Sequence, residues 1–114
     1  MMMLPLQMTV RNLSLPEAAK EDIREKASKL SRYYDPIVRC RVTVDAPHRH
    51  QRKGQLYDVR IDLTVPGMEL VVKGAPNEDL HIAIRDAFDA ARRRLEDFAQ
   101  RQRGEIKAHE PASL

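Results

Sequence analysis

A chain of 114 residues is long enough for one domain and short of two, and at this size folding takes a little under ~70% of the unfolded surface out of water. Hydrophobic residues make up 42% and charged ones 32%, with 20 Lys and Arg against 17 Asp and Glu, a formal charge of +3 that permits a polyanionic partner without requiring one. The single cysteine excludes an internal disulfide framework and a multi-cysteine zinc site, no apolar run approaches the ~18 residues of a membrane span, and Met1 to Met8 carry no secretory signal, so a cytoplasmic protein is expected.

Leu6, Met8 and Val10 alternate with Gln7, Thr9 and Arg11, which predicts a first strand with one buried face. Ser14-Leu15-Pro16-Glu17 reads as a capping box, with Ser14 as N-cap and Pro16 in the first turn. Ala19, Ile23, Ala27, Leu30 and Tyr34 then recur as one face of an amphipathic helix, which Asp35-Pro36 ends. Val38, Cys40, Val42 and Val44 alternate with Arg39, Arg41, Thr43 and Asp45 in a second strand. A loop follows from Ala46 to Gln55, and the third strand runs through Tyr57, Val59, Ile61, Leu63 and Val65. Pro66-Gly67 signals a turn with glycine at positive φ, and Glu69 to Lys73 form a short fourth strand. Asn77 is the expected N-cap of a second helix, whose stripe of Leu80, Ile84, Ala87, Phe88, Ala91, Leu95 and Phe98 carries it to about Gly104.

The order is β-α-β-β-β-α. Strands two to four form an antiparallel meander, and the first helix is long enough to bring strand one parallel to strand two. Every strand has one apolar face and each helix one apolar stripe. The predicted fold is therefore an α+β two-layer sandwich: a four-stranded sheet with both helices on one face, resembling a double-stranded RNA-binding domain. Residues 1–104 form the expected domain, and the polar tail 105–114, with Pro111, is expected to be disordered.

Of the cations 14 are Arg and 6 are Lys, a bias toward the planar donor fork that suits phosphate and base edges. Pro47-His48-Arg49-His50-Gln51-Arg52-Lys53-Gly54 is a hairpin tip without an acid, so Arg49, Arg52 and Lys53 are candidate phosphate contacts. The second helix carries Arg85, Arg92, Arg93, Arg94, Arg101 and Arg103. On a helical wheel Arg85, Arg92 and Arg103 share one flank of the apolar stripe, Arg94 and Arg101 lie on the other, and Arg92–Glu96 and Arg93–Asp97 are expected ion pairs. Lys26 and Lys29 lie to one side of the first helix's stripe. On the polar face of the sheet, a register that pairs Asp45 with Asp58 makes Arg41 and Asp62 neighbours, a face read as structural.

Catalytic constellations are lacking: there is no glycine-rich phosphate loop, nucleophile elbow or H-E-x-x-H. Cys40, in phase with Val38 and Val42, is expected buried and inert. His48 and His50 offer one face of a metal site with no third ligand nearby, so neither a metal nor a cofactor is expected and an enzyme is not the favoured reading.

These features, with Val10-Arg11-Asn12 before a helix ending Lys29-Leu30-Ser31-Arg32-Tyr33-Tyr34-Asp35 and Ala83-Ile84 leading into an arginine-rich run, resemble the ribosome hibernation-promoting factors. That family includes the ribosome-associated translation inhibitors, also called sigma-factor modulation proteins, and the resemblance spans residues 6 to 104. It implies a stationary-phase or stress protein, not an enzyme, monomeric on the ribosome. It would bind the small subunit (30S) and the 70S ribosome between head and body, contact rRNA and exclude mRNA and tRNA. By the same resemblance, the RNA-contacting positions would be Lys26, Lys29, Arg85, Arg92, Arg93 and Arg94. Two residues depart from the family's habit: Val10, where members often have glycine, and Arg85, where they often have an acid. Longer members add a C-terminal domain that pairs ribosomes, so this chain is expected to resemble the short forms. The alternative reading is a free-standing binder of double-stranded RNA.

Overall fold

The computed structural model describes residues 5–34, 37–47 and 55–108, with side chains as far as Gly104. Four strands, β1 (Leu6–Arg11), β2 (Arg39–Asp45), β3 (Asp58–Val65) and β4 (Met68–Lys73), and two helices, α1 (Glu17–Leu30) and α2 (Leu80–Ala108), follow in the order β1-α1-β2-β3-β4-α2. The strands form one sheet in sequence order, β1 parallel to β2 and the other pairs antiparallel. The expected register holds, with Asp45 opposite Asp58 and Arg41 opposite Asp62.

One face of the sheet buries Cys40, Val42, Val44, Val59, Ile61, Leu63, Val65, Leu70 and Val72. Against it lie Ala19, Ile23, Ala27 and Leu30 of α1 and Ala83, Ile84, Ala87, Phe88, Ala91, Leu95 and Phe98 of α2. The two periodicities, two for strands and 3.6 for helices, meet in this single core, whose apolar burial drives the fold. Alanines at the closest points let α2 sit low on the sheet. Gly74 contributes to this, because a Cβ there would stand 3.1 Å from Ala87 Cα.

Local signals fix the ends. Gly67 takes φ +88° in the β3–β4 turn, as expected of it. Asn12 adopts φ 66° after β1 and its Nδ2 donates to Asp45 Oδ1 at 2.9 Å, tying the start of the crossover to the far end of β2.

Several boundaries differ from the sequence expectation. The capping box does not form. Pro16 is itself the N-cap of α1, extended at φ −61°, ψ 151°, and its carbonyl accepts from Ala19 and Lys20 N–H, with no side-chain cap. At α2 the cap is Asp79 rather than Asn77: Asp79 Oδ1 accepts from His81 and Ile82 N–H at 2.9 and 3.2 Å, while Asn77 Oδ1 holds the Asp79 N–H in the preceding turn. Asn77 is occupied by bridging Tyr57. Helix α1 proper ends at Leu30, and Tyr34 follows in a turn. Val38 precedes β2 and is 51% exposed, Ile37 taking the buried place. The fourth strand starts at Met68 rather than Glu69. Finally, α2 continues to Ala108, past Gly104, since good helix formers follow that glycine and the next breaker is Pro111. Residues 109–114 lie outside the described residues.

Candidate nucleic-acid interface

Charges on α1 are sorted along its length. In the first turns they pair: Glu17 with Lys20, Glu21 with Arg24 at 3.0 Å, and Asp22 with Lys26 at 2.9 Å. Toward the C-terminal end Lys29 and Arg32 are exposed and have no carboxylate within 4.0 Å among the described residues. Cations suit this end, where the last carbonyls carry the negative pole of the helix dipole. Asp22, Lys26, Lys29 and Tyr33 recur at helical spacing and so share one stripe.

The end of that stripe meets α2. Arg92 of α2 lies over the Tyr33 ring, its Cζ 5.8 Å from the ring centroid. Next to it, Tyr34 meets Phe98 edge-on at 5.2 Å and its hydroxyl donates to Gln102 Oε1 at 3.1 Å. The C-terminal end of α1 is therefore joined to the C-terminal half of α2, and the helices run side by side in the same direction. Arg92 Nε is buried without an acceptor, and Arg92 and Arg93 have no ion-pair partner among the described residues. The expected pairs Arg92–Glu96 and Arg93–Asp97 do not form: Arg92 is drawn onto Tyr33, and Asp97 is taken by Arg101 at 3.3 Å. Lys29, Arg32, Arg92 and Arg93 are thus the cations of this region without an ion-pair partner among the described residues, with Arg92 brought to the end of α1 by Tyr33, and with Asp89 and Glu96 one helical turn away on α2.

The other candidates are placed differently. Lys26 lies on the same stripe but is held by Asp22. Arg85 shares the flank of Arg92 and leans on Asp86 at 3.3 Å, an exposed contact of little strength. Arg94 lies on the opposite flank of α2 and does not join them. Arg49, Arg52 and Lys53, with His48 and His50, lie outside the described residues. Sequence reasoning missed Tyr33. The available signal was a second tyrosine directly before the striped Tyr34, one residue out of phase with the core and so bound to face outward beside Lys29 and Arg32.

The open face of the sheet is a different surface. Its cross-strand rows are Gln7–Arg41–Asp62–Val71 and Thr9–Thr43–Arg60–Lys73, flanked by Arg11, Asp45 and Asp58, around a shallow groove of about 710 Å³. Cations and acids interleave there, and Arg60 Nε donates to the buried Asp62 Oδ1 at 3.0 Å. Beneath it, burial pushes the Cys40 thiol from 9.0 up to about 12, with the Asp62 charge adding to the effect. Cys40 is therefore a protonated core residue and not a nucleophile.

Among the described residues, no group of three or more His, Cys, Asp or Glu could hold a metal ion, and no helix is long and apolar enough to cross a membrane. Fold and site together define a small α+β module that presents arginine and lysine without ion-pair partners among the described residues where the end of α1 meets α2. The family model described as sigma 54 modulation protein / S30EA ribosomal protein matches residues 6–103, and the chain belongs to that family. A relative from Deinococcus radiodurans, named ribosome hibernation promotion factor, is 30% identical over 110 residues, covering 95% of this chain and 56% of the relative. The chain thus spans little more than half the length of that curated relative. Two solved structures share the fold. The N-terminal domain of Protein Y from Thermus thermophilus matches with TM-score 0.68 and 22% identity over 83% of this chain and 99% of its own. A ribosomal subunit interface protein from Coxiella burnetii matches with TM-score 0.70 and 15% identity over 85% and 99%. The name of the Deinococcus relative describes a ribosome hibernation factor and not an enzyme.

Proposed function

We propose that the chain binds the small ribosomal subunit through rRNA phosphates and holds ribosomes inactive but intact by occupying the channel that mRNA and tRNA use. The observation that carries this reading is that Lys29, Arg32, Arg92 and Arg93 have no ion-pair partner among the described residues, in a member of the S30EA family. The names of the Deinococcus and Coxiella proteins support the ribosome as partner. Inhibition in this reading is steric. A rigid two-layer domain lies where the flexible ligands must pass, and no bond is made or broken.

Chemically, this set suits an irregular RNA fold. Three arginines and a lysine are carried by two separate segments, α1 with its following turn and α2, so they can meet phosphates that approach from different directions. Arg85 and Lys26 join by leaving Asp86 and Asp22, and Arg49, Arg52 and Lys53 add contacts from the β2–β3 connection. Arg94 contributes only where RNA wraps past the far flank of α2. Stress or starvation is the proposed setting. Lysates of starved cells are sedimented through a gradient, and the protein is expected in the 30S and 70S fractions. Its confinement to the top of the gradient would overturn the reading.

A further inference from the structure

The adjacent tyrosines at the end of α1 do different things. Tyr34 is built into the fold through Phe98 and Gln102. Tyr33 is 40% exposed, whereas Tyr34 and Tyr57 are half-buried and Phe88 and Phe98 are buried, so Tyr33 is the one exposed Tyr or Phe among the described residues. Folding gains little from an aromatic surface left in water. Its surroundings are cationic. Arg92 stands 5.8 Å over the ring, Arg32 precedes it by one residue, and Lys29 lies one helical turn earlier on the same stripe.

We propose that Tyr33 is a stacking platform for an unpaired RNA base, with Arg92 and Lys29 holding the phosphates on either side of that nucleotide. This rests on the RNA-contact reading above and specifies the form of RNA it takes. A base inside a duplex has both faces covered by its neighbours, so the platform takes a nucleotide from a single-stranded or splayed-out segment. Arg92 leans on one face of the ring and the exposed remainder is left for the base. With Nε turned into the protein, the outer N–H groups of Arg92 are the ones left to donate to a phosphate. Every base has a π-face, so the contact is tolerant of sequence. The open sheet face, lined by Gln, Thr, Arg, Asp and Lys, has no ring and cannot make this contact.

The test is affinity for purified small ribosomal subunits across a salt series, with Tyr33→Leu and Tyr33→Trp beside the wild type. The chain has no tryptophan, so Tyr33→Trp also places a single indole fluorophore at the platform. Tyr33→Leu is expected to bind about fivefold or more weakly with an unchanged slope of log affinity against log salt, because no phosphate contact is removed. Tyr33→Trp is expected to bind like the wild type and lose indole emission on binding. If Tyr33→Leu binds as tightly as the wild type, or if its loss comes with a slope lower by about one, the proposal is overturned. The second outcome marks Tyr33 as only a rest for Arg92. Unquenched Tyr33→Trp in the bound state also overturns it. Wild-type protein that binds no small subunits overturns the ribosome reading and this inference together, whereas binding that survives Tyr33→Leu overturns this inference alone.

Discussion

The helix layer and the open sheet face both carry charged side chains but organise them in opposite ways. On the sheet, the period of two and the antiparallel register set Arg60 beside Asp62 on one strand and Arg41 opposite Asp62 across strands, so cations and acids interleave. On the helices, pairing among the described residues is confined to the first turns of α1 and to Arg85–Asp86 and Arg101–Asp97, and it leaves Lys29, Arg32, Arg92 and Arg93 without an ion-pair partner. The net charge of +3 describes neither surface. A phosphate responds to the cations left without a close partner, within a Debye length of roughly 10 Å, which is why the proposed contacts lie on the helix layer.

The contrast can be broken most sharply by charge reversal on each side. Arg92→Glu with Arg93→Glu is expected to weaken small-subunit binding about a hundredfold or more, as two charge-assisted contacts of roughly 1.5–3 kcal/mol each are lost. Arg39→Glu with Lys73→Glu on the sheet face is expected to change it by less than about threefold, measured in the same pelleting assay. Stability should sort the other way. Asp62→Ala removes the acceptor of Arg60, whose side chain is half exposed and can turn to water, and is expected to lower unfolding free energy by about 1 kcal/mol in urea titrations, whereas Arg93→Ala should stay within ~0.5 kcal/mol of wild type. Cys40 gives a pH signature of the same buried layer. Its folded pKa is about 12 against 9.0, so above pH 9 the unfolded thiol ionises while the folded one stays protonated, and stability falls with rising pH. The slope due to this group approaches about 1.4 kcal/mol per pH unit, and Cys40→Val should remove it from the difference between stability–pH curves. Smallest, Asp79→Ala should cost about 1 kcal/mol by releasing the His81 and Ile82 N–H groups, while Ser14→Ala, at a cap that does not form, should be near neutral.

Much of the fold was legible because the apolar residues keep strict time. Val42, Val44, Ile61 and Leu63 alternate, Ala19, Ile23, Ala27 and Leu30 step by helical turns, and these alone specify which faces meet. Cap chemistry was less legible. Ser14 and Asn77 both read as caps in the sequence, and only the path of the chain through Pro16 and the Tyr57–Asn77 bridge hands the two places to Pro16 and Asp79. The cationic character of α2 was also readable, but the choice among its arginines was not. A wheel shows that Arg85 and Arg92 share a flank, yet whether each meets a carboxylate or a ring depends on the neighbouring helix. Tyr33 escaped notice for the same reason, since its role arises from contact with Arg92, a residue far away in the chain that only the packing of α2 beside α1 brings over the ring.

In the proposed binding mode phosphates meet the helix layer where the end of α1 contacts α2, and not the sheet. The salt dependence of small-subunit binding tests it most directly, because the slope of log affinity against log salt counts the phosphate contacts that are made. Arg92→Glu with Arg93→Glu should flatten that slope by about 1.5 while Arg39→Glu with Lys73→Glu runs parallel to the wild type. A flattened slope for the sheet-face variant, beside an unchanged one for the helix variant, would contradict the account.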